Sequence, residues 1–317
     1  MDGQIPQDYV YALAASPAFE QDGVCFAAKA SGLYRSLDGG KTWQDAFRSL
    51  NLQEPQAISS VALSPAFETD RLVLAGTKGG VLISSDVGET WEFVQVLPER
   101  SLAVPFITAL ALSPAFAQDR LVLAATDQDG VLRSTDGGLS WASWNFGLLD
   151  LRILCLAFSP GFAQDQAIYI GTESGIFASQ TGGRAWSEVD FPMESAPVLS
   201  LALSPQFVSD GVLFAGTEQN GLFCSADRGN TWQGPLGPTA GEAVSPILLD
   251  PAYPAVGRIL LGIGAGPLLS QDGGKTWAAW KAAWNPPAEV TALLAPAGLA
   301  EEAPIITGFM DGTIERL

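Results

Sequence analysis

Short apolar runs alternate with polar, glycine-rich stretches along the whole chain. Examples are ITALAL at 107–112, RLVLAGT at 71–77 and GVLRS at 130–134, and each is bounded by Gly, Pro, Asp or Ser. Apolar runs of this length between turn-forming residues are typical of β-strands. The pattern therefore predicts an all-β protein.

The order of these runs repeats about every 46 residues. In most repeats a Ser-Pro pair ends the first run, and its proline recurs at spacings of 48, 49, 46, 45, 46 and 45 residues. These prolines are Pro17, Pro65, Pro114, Pro160, Pro205, Pro251 and Pro296. A fixed period of this size indicates a repeat architecture. Seven repeats fill the chain, so we expect one domain over residues 1–317.

Each repeat predicts four short strands, and the first strand has small residues on one face. Ala109 and Ala111, for example, alternate with Leu110 and Leu112. Small side chains suit strands that crowd around an axis, so the repeats predict a seven-bladed β-propeller of four-stranded antiparallel blades. A β-solenoid is the alternative, but it would normally have a shorter repeat.

The last repeat is incomplete. From about Val290 to Leu317 it supplies three strands and lacks the motif that follows the third strand elsewhere. We expect residues 1–7, MDGQIPQ, to supply part of the missing strand and close the ring.

An eight-residue motif with the pattern S-x-D-x-G-x-T-W, here called the box, follows the third strand of six repeats. Its aspartate can accept hydrogen bonds from nearby backbone amides, its glycine can take a positive φ, and its tryptophan can bury a large face. The box is therefore predicted to be a structural turn. Its aspartates are Asp38, Asp86, Asp136, Asp227 and Asp272, and its tryptophans are Trp43, Trp91, Trp141, Trp186, Trp232 and Trp277.

The fourth box, SQTGGRAW at 179–186, has Thr181 in place of the aspartate and Ala185 in place of the threonine. A structural turn can lose one bond and survive. A calcium loop needs carboxylates at alternating positions, and the shared pattern supplies one, so we expect no metal in the boxes.

The boxes resemble the Asp-box, or BNR, repeats of β-propellers. Such repeats occur in sialidases, xyloglucan-cleaving glycosidases, sortilin-type receptors and photosystem II assembly factors. The resemblance implies the propeller fold, and it implies a structural role for the boxes, which lie away from the ligand site in the family. It does not indicate one function, because these relatives do unrelated things on one scaffold.

The charge and composition of the chain argue against some classes of partner. The chain has 16 basic and 34 acidic residues, a net charge of −18, and no histidine. Such a surface repels phosphate backbones and anionic lipids, so we expect neither nucleic-acid binding nor membrane insertion. No apolar run reaches the ~20 residues of a membrane span. We expect no cofactor.

Three cysteines, Cys25, Cys155 and Cys224, each lie in an apolar run and are interpreted as buried free thiols. Free thiols fit a reducing compartment, so we expect a cytoplasmic location. VYALAAS at 10–16 mimics the end of a secretory signal, but acidic residues precede it and the stretch aligns with later repeats. A secretory signal that has already been removed stays an open alternative.

Acidic residues gather in the turns between the second and third strands. Asp127, Asp129, Glu173 and Glu218 come from three consecutive repeats and are predicted to form an acidic rim at the channel mouth. This rim would suit a cationic ligand, a metal ion or a basic protein segment, and two of its carboxylates could serve a glycosidase. The alternative is that all four are ordinary solvated turn residues.

Three tryptophans lie outside the boxes, in links between repeats: Trp144, Trp280 and Trp284. Aromatic residues in loops on a rigid ring often anchor partners, and exposed tryptophan can stack on sugars. The alternative is packing between blades. We therefore expect a non-enzymatic scaffold for protein–protein interaction or complex assembly, with a protein or peptide partner. A glycoside hydrolase or a glycan-binding propeller is the alternative.

Overall fold

The computed structural model describes residues 8–50, 52, 54–96, 104–193, 196–264 and 266–317. Within these ranges, 26 strands form seven antiparallel sheets, and each sheet takes its strands from one sequence repeat. The predicted seven-bladed β-propeller is confirmed. Residues 1–7, which were expected to help close the ring, lie outside the described residues.

Five blades have four strands in sequence order. Blade 1 contains β1 (Val10–Ala15), β2 (Cys25–Lys29), β3 (Gly32–Ser36) and β4 (Gln44–Asp45). Blade 2 contains β5 (Ser60–Leu63), β6 (Val73–Thr77), β7 (Gly80–Ser84) and β8 (Glu92–Gln95). Blade 3 contains β9 (Ile107–Leu112), β10 (Val122–Thr126), β11 (Val131–Ser134) and β12 (Ala142–Ser143). Blade 4 contains β13 (Ile153–Phe158), β14 (Ile168–Thr172), β15 (Ile176–Ser179) and β16 (Ser187–Glu188). Blade 6 contains β20 (Val244–Leu249), β21 (Ile259–Ile263), β22 (Leu268–Ser270) and β23 (Ala278–Ala279).

The other two blades have three strands. Blade 5 contains β17 (Val198–Leu203), β18 (Leu213–Thr217) and β19 (Leu222–Ser225), and blade 7 contains β24 (Val290–Leu294), β25 (Ile306–Phe309) and β26 (Ile314–Arg316). Blade 7 was expected to be incomplete. In blade 5, Cys224 and Gln233 still exchange two backbone hydrogen bonds, but Pro235 follows two residues later and has no amide to continue the pairing.

The first strands of the seven blades contact one another in a closed ring, and β24 of blade 7 lies against β1 of blade 1. Side chains on the inner strands add hydrogen bonds to the carbonyl that begins the next inner strand. Thr108 donates to Ile153 (2.7 Å), and Ser200 donates to Val244 (2.9 Å). These bonds help to hold blade 3 in register with blade 4, and blade 5 with blade 6.

Hydrophobic clusters fill the spaces between blades. One contains Phe26 and Leu33 of blade 1 together with Val73 and Leu82 of blade 2. The middle strands are buried along their whole length, as β6 and β10 show. Burial of both faces explains why these strands read as continuous apolar runs.

A one-turn helix follows the Ser-Pro motif in five blades, and the sequence did not predict it. These helices are α1 (Phe19–Asp22), α2 (Phe67–Asp70), α3 (Phe116–Asp119), α4 (Phe162–Asp165) and α5 (Phe207–Asp210). In blade 1 the Ser16 hydroxyl donates to Asp22 Oδ2 (2.6 Å), and Asp22 Oδ1 accepts from the amide of Val24 (2.9 Å). The first of these hydrogen bonds links the serine that begins the motif to the aspartate that ends the helix. Two 3₁₀ helices, Arg48–Leu50 and Gly237–Thr239, complete the elements of the described ranges.

Each box folds as a turn that bonds to itself. In the first box, Asp38 Oδ1 accepts from the Ser36 hydroxyl (2.8 Å) and the Thr42 amide (2.9 Å), and Oδ2 accepts from the Thr42 hydroxyl (2.6 Å). The two hydroxyl contacts recur around Asp86, Asp136, Asp227 and Asp272. Both carboxylate oxygens are therefore occupied within the turn.

The altered fourth box keeps part of this pattern. The Thr181 hydroxyl accepts from the amide of Ala185 (2.9 Å), which replaces one of the aspartate's contacts, and Gly183 still donates to Ser179 Oγ (3.0 Å). The second carboxylate contact is lost because Ala185 has no hydroxyl. The turn survives with fewer bonds.

The box tryptophans lie against the blade before their own. Trp91 Nε1 donates to Ala46 O (2.9 Å), and Trp186 Nε1 donates to Trp144 O (2.8 Å). In three other boxes the indole donates to the carbonyl of the glycine three residues earlier: Trp141, Trp232 and Trp277. Trp91 and Trp186 thus bond to the neighbouring blade, whereas the indoles of the other three close their own turn.

Candidate partner-binding surface between blades 3 and 4

The link between blades 3 and 4, residues 144–152, is held in place by hydrogen bonds to both blades. On blade 3, Asn145 Oδ1 accepts from the amide of Val131 (2.8 Å). On blade 4, Asp150 Oδ2 accepts from the amide of Ser174 (3.0 Å), and Phe146 O accepts from the amide of Trp186 (2.9 Å). The link is therefore a fixed platform.

This platform displays apolar side chains to solvent. Phe146 is 80% exposed and Leu149 is 81% exposed, the two highest values among the large exposed hydrophobic residues of the described ranges. Leu151 is also exposed. Exposed large apolar side chains on a rigid loop are a common mark of an interaction site.

Arg152, at the end of the same link, forms an ion-pair network. Its guanidinium lies 2.7 Å from Glu173 Oε2 and 3.5 Å from Asp127 Oδ1. All three side chains are between 38% and 50% exposed. The structure thus brings together two members of the predicted acidic rim through a cation that the sequence analysis did not single out. An exposed network of this kind adds little stability but can set the specificity of a contact.

Of the other two rim residues, Asp129 lies in the same turn as Asp127 and Glu218 lies in the corresponding turn of blade 5, and neither forms an ion pair with this network among the described residues. Asp129 is half-buried, and its amide donates to Thr126 Oγ1 (2.9 Å). Glu218 is exposed on blade 5, and its amide donates to Pro197 O (3.0 Å). Their part in a common binding site stays a prediction.

The three link tryptophans are half-buried. The Trp144 ring lies under the guanidinium of Arg133 (5.2 Å). Trp280 and Trp284 pack edge to face at 5.7 Å and extend the hydrophobic cluster between blades 6 and 7. The contacts of Trp280 and Trp284 match the alternative of packing between blades, whereas Trp144 packs on Arg133 of its own blade. A role of the three as partner anchors stays a prediction.

Sequence reasoning named the link but selected Trp144 and overlooked Phe146, Leu149 and Arg152. The signal that could have found the first two is a pair of apolar residues around Gly147 in a link with polar ends. Only the fold shows that Trp144 turns inward while Phe146 and Leu149 turn outward.

Other chemical groups are sparse. In the described ranges no three Cys, Asp or Glu side chains lie together as metal ligands would, and no helix there is long and apolar enough to cross a membrane. The three cysteines are free thiols. Burial raises the pKa of Cys25 and Cys155 to about 12 and that of Cys224 to about 11, so the thiols are protonated and poorly nucleophilic at neutral pH.

The family model described as BNR/Asp-box repeat matches residues 34–45, the segment that contains the first box. The other boxes repeat its sequence pattern and, except at Thr181, its hydrogen bonds to the aspartate. The resemblance recognised from the sequence is thereby confirmed. No curated protein sequence matches the chain significantly.

Solved structures of several propellers superpose on the whole chain. One is the GH74 xyloglucanase from Xanthomonas campestris, with a TM-score of 0.74 and 18% identity over 98% of this chain and 52% of the xyloglucanase. Another is YCF48 bound to D1 peptide, with a TM-score of 0.71 and 18% identity over 99% of this chain and 93% of YCF48.

A third similar structure is the extracellular domain of the one-component system BT4673 from B. thetaiotaomicron, with a TM-score of 0.72 and 16% identity. It covers 98% of this chain, which spans only 38% of that protein. At 16–18% sequence identity, these three similarities support the fold and nothing further. The chain is accordingly a seven-bladed β-propeller with Asp-box repeats, similar in fold both to an enzyme and to a peptide-bound protein.

Proposed function

We propose that the protein is a non-enzymatic scaffold that binds a protein or peptide partner through the platform between blades 3 and 4. The observation that carries this proposal is the exposure of Phe146 and Leu149 on a link whose backbone is fixed to both blades. Side chains on a fixed backbone lose little conformational entropy when they bind.

The surroundings define the chemistry of the partner. Asp127 and Glu173 pair with Arg152, which lies in the same link as the exposed apolar residues, and Arg152 offsets one of their two charges. The protein as a whole carries a net charge of −18. A partner segment with an apolar anchor and a basic side chain would satisfy both features. The similarity to YCF48, whose solved complex holds a peptide, adds support from the fold.

The arrangement of the carboxylates argues against hydrolysis. A glycosidase needs one carboxyl group that gives a proton and a second that acts as base or nucleophile. Here the Arg152 guanidinium lies between the two carboxylates, 3.5 Å from Asp127 Oδ1 and 2.7 Å from Glu173 Oε2, and so occupies the position from which a substrate would contact both. The similarity to a xyloglucanase keeps a glycan as the alternative ligand to test.

Quantitative affinity enrichment from the source organism tests the proposal. The bait would be the wild-type chain beside Phe146→Asp/Leu149→Asp, with Phe93→Asp as the matched control, because Phe93 is 52% exposed on the outer strand of blade 2. We expect a protein that is enriched by the wild type and by the Phe93 variant and lost with the double variant. Release of reducing sugar from xyloglucan, or equal enrichment by all three baits, would contradict the proposal.

A further inference from the structure

An arginine on the third strand of blade 3 contacts the fourth box in the way that an arginine of blade 1 contacts the second box. Arg35 and Arg133 each precede the serine of their own blade's box by one residue. Arg35 donates to the carbonyl of Val87 (2.8 Å), and Arg133 donates to the carbonyl of Gly182 (3.2 Å). Val87 and Gly182 both hold the fourth position of their boxes. Arg133 is therefore the equivalent of Arg35.

The two arginines meet boxes of different charge. In the second box the sixth residue is Glu89, whose Oε1 accepts a hydrogen bond from Arg35 (2.8 Å) and forms an ion pair with it. In the fourth box the sixth residue is Arg184, a second cation. The third residue also differs, because Asp86 of the second box is replaced by Thr181 in the fourth. The second box thus has two carboxylates, whereas the fourth box has none and adds a guanidinium.

Both guanidiniums at the fourth box are held in place through one nitrogen each. Arg133 Nε donates to Gly182 O, and Arg184 Nε donates to Thr181 O (2.8 Å), the neighbouring carbonyl in the chain. Among the described residues, the terminal nitrogens of both guanidiniums have no hydrogen-bond acceptor, and neither arginine forms an ion pair. The free N–H groups of a guanidinium form a planar fork that matches the oxygens of a carboxylate or a phosphate.

The carboxylate that acts on Arg133 is already bonded elsewhere. Burial and the nearby charge of Arg184 lower the pKa of Arg133, and the charge of Asp119 offsets this in part. Asp119 Oδ2 accepts from the hydroxyl of Ser113 (2.6 Å), and its Oδ1 accepts from the amide of Leu121 (2.9 Å). Asp119 thus holds its own loop, and the two arginines lie near each other without a carboxylate bonded to either.

The missing aspartate of the fourth box also leaves a backbone donor free. In four boxes the amide of the sixth residue donates to Oδ1 of the aspartate, namely the amides of Lys41, Glu89, Leu139 and Lys275. In the fourth box, Thr181 Oγ1 accepts from the amide of Ala185 (2.9 Å), but the amide of Arg184 has no acceptor within the described part of the chain. Arg184 is exposed. A free amide and two guanidiniums therefore lie at one turn that has no anion of its own.

We propose that the fourth box is a binding site for an oxyanion, the carboxylate or phosphate group of a ligand, held by Arg133, by Arg184 and by the amide of Arg184. The anion supplies the negative charge that Asp86 and Glu89 supply in the second box. The net charge of −18 repels polyanions, so the ligand carries a single acidic group or is a small anion. Because a free anion is sufficient as the ligand, binding here does not depend on the partner proposed for the platform.

Titration of the full-length protein with inorganic phosphate and with acetate, each compared with sodium chloride at equal ionic strength, tests the site. NMR would follow the amide resonance of Arg184 and the Nε–H resonances of Arg133 and Arg184, assigned from Arg133→Lys and Arg184→Lys. We expect saturable shifts of all three with at least one oxyanion and none that saturate with chloride. Tighter binding of phosphate would identify a phosphate ligand, and tighter binding of acetate a carboxylate. Shifts of the Arg184 amide that are the same with all three salts would overturn the proposal.

Two variants remove the site by giving the fourth box a carboxylate of its own. Arg184→Glu restores the residue of the second box and should weaken binding roughly tenfold or more, because charge-assisted hydrogen bonds are lost. Thr181→Asp should act similarly, whereas the neutral Thr181→Asn should keep most of the affinity. Lys41→Glu is the matched control, since it makes the same charge change at the same position of the first box, which already contains Asp38. Full binding by Arg184→Glu, or equal losses in Arg184→Glu and Lys41→Glu, would contradict the assignment.

Discussion

The hydroxyl of Thr291 donates a 2.8 Å hydrogen bond to the carbonyl of Val10 and so joins the last blade to the first. It belongs to the same series as the bonds from Thr108 to Ile153 and from Ser200 to Val244. Nearby, Gly308 lies so close to Val10 that a Cβ at that position would clash with the valine side chain. The ring is thus closed at its inner strands by the same contacts that join its other blades.

Thr291→Val should destabilise the protein by about 1–2 kcal/mol, because it removes the hydroxyl and leaves the Val10 carbonyl without this donor. Urea unfolding followed by tryptophan fluorescence measures the change. Thr291→Ser keeps the hydroxyl and should recover most of the loss. Equal stability of the valine variant and the wild type would show that this bond does not contribute to closure.

Repair of the fourth box should stabilise the fold. Thr181→Asp with Ala185→Thr restores a carboxylate and a hydroxyl at the positions they hold in the other boxes, where the two groups lie 2.6 Å apart in the first. We expect a gain of about 1 kcal/mol in the free energy of unfolding. Ala185→Thr alone lacks the carboxylate acceptor and should gain less. A double variant less stable than the wild type would contradict this interpretation of the box.

Acid should weaken the boxes over a defined range. The Thr276 hydroxyl and amide donate to Asp272 and lower the pKa of its carboxyl from the ordinary 3.8 to about 2. A carboxyl group with a lower pKa in the folded state stabilises the fold above its ordinary pKa, and this contribution is lost as the pH falls through the folded value. The effect is therefore complete above about pH 4 and disappears toward pH 2.

Comparison of Asp272→Asn with the wild type isolates this contribution. The wild type should be the more stable of the two at pH 7, and the difference should shrink between pH 4 and pH 2. Urea unfolding at a series of pH values gives both curves. A difference that stays constant down to pH 2 would mean that the negative charge of Asp272 does not contribute to the stability of the turn.

The three thiols should resist alkylation while the protein is folded. Burial raises the pKa of all three, to about 12 for Cys25 and Cys155 and about 11 for Cys224, so little thiolate exists at pH 8. Iodoacetamide followed by intact mass spectrometry should add no group in native buffer within an hour and three groups in urea. Rapid labelling of one site in the native protein would identify an accessible thiol.

Most of the fold could be predicted from the sequence because its repeat leaves few alternatives. The groups chosen for the box from their chemistry, the aspartate and the serine and threonine hydroxyls, are the groups that bond to one another in the structure. The one-turn helices were missed because the Ser16–Asp22 bond that organises the first of them joins residues within a loop, where apolar periodicity gives no signal.

The candidate site was harder to predict because side-chain direction in a link depends on contacts from both neighbouring blades. Trp144 turns inward to Arg133, and the link then leaves Phe146 outside. Arg152 pairs with Asp127 of one blade and Glu173 of the next, residues 25 and 21 positions away in the chain. Neither relationship follows from local sequence.

Photo-cross-linking at position 146 tests the proposed function most directly. Phe146 would be replaced by p-benzoylphenylalanine, with the same replacement at Phe93 as the control, and each protein would be irradiated in an extract of the source organism. Cross-linked peptides would be identified by mass spectrometry. The account predicts one discrete partner peptide, with an apolar and a basic side chain, joined to position 146 and absent from position 93. Identical products at both positions, or no product at position 146, would contradict it.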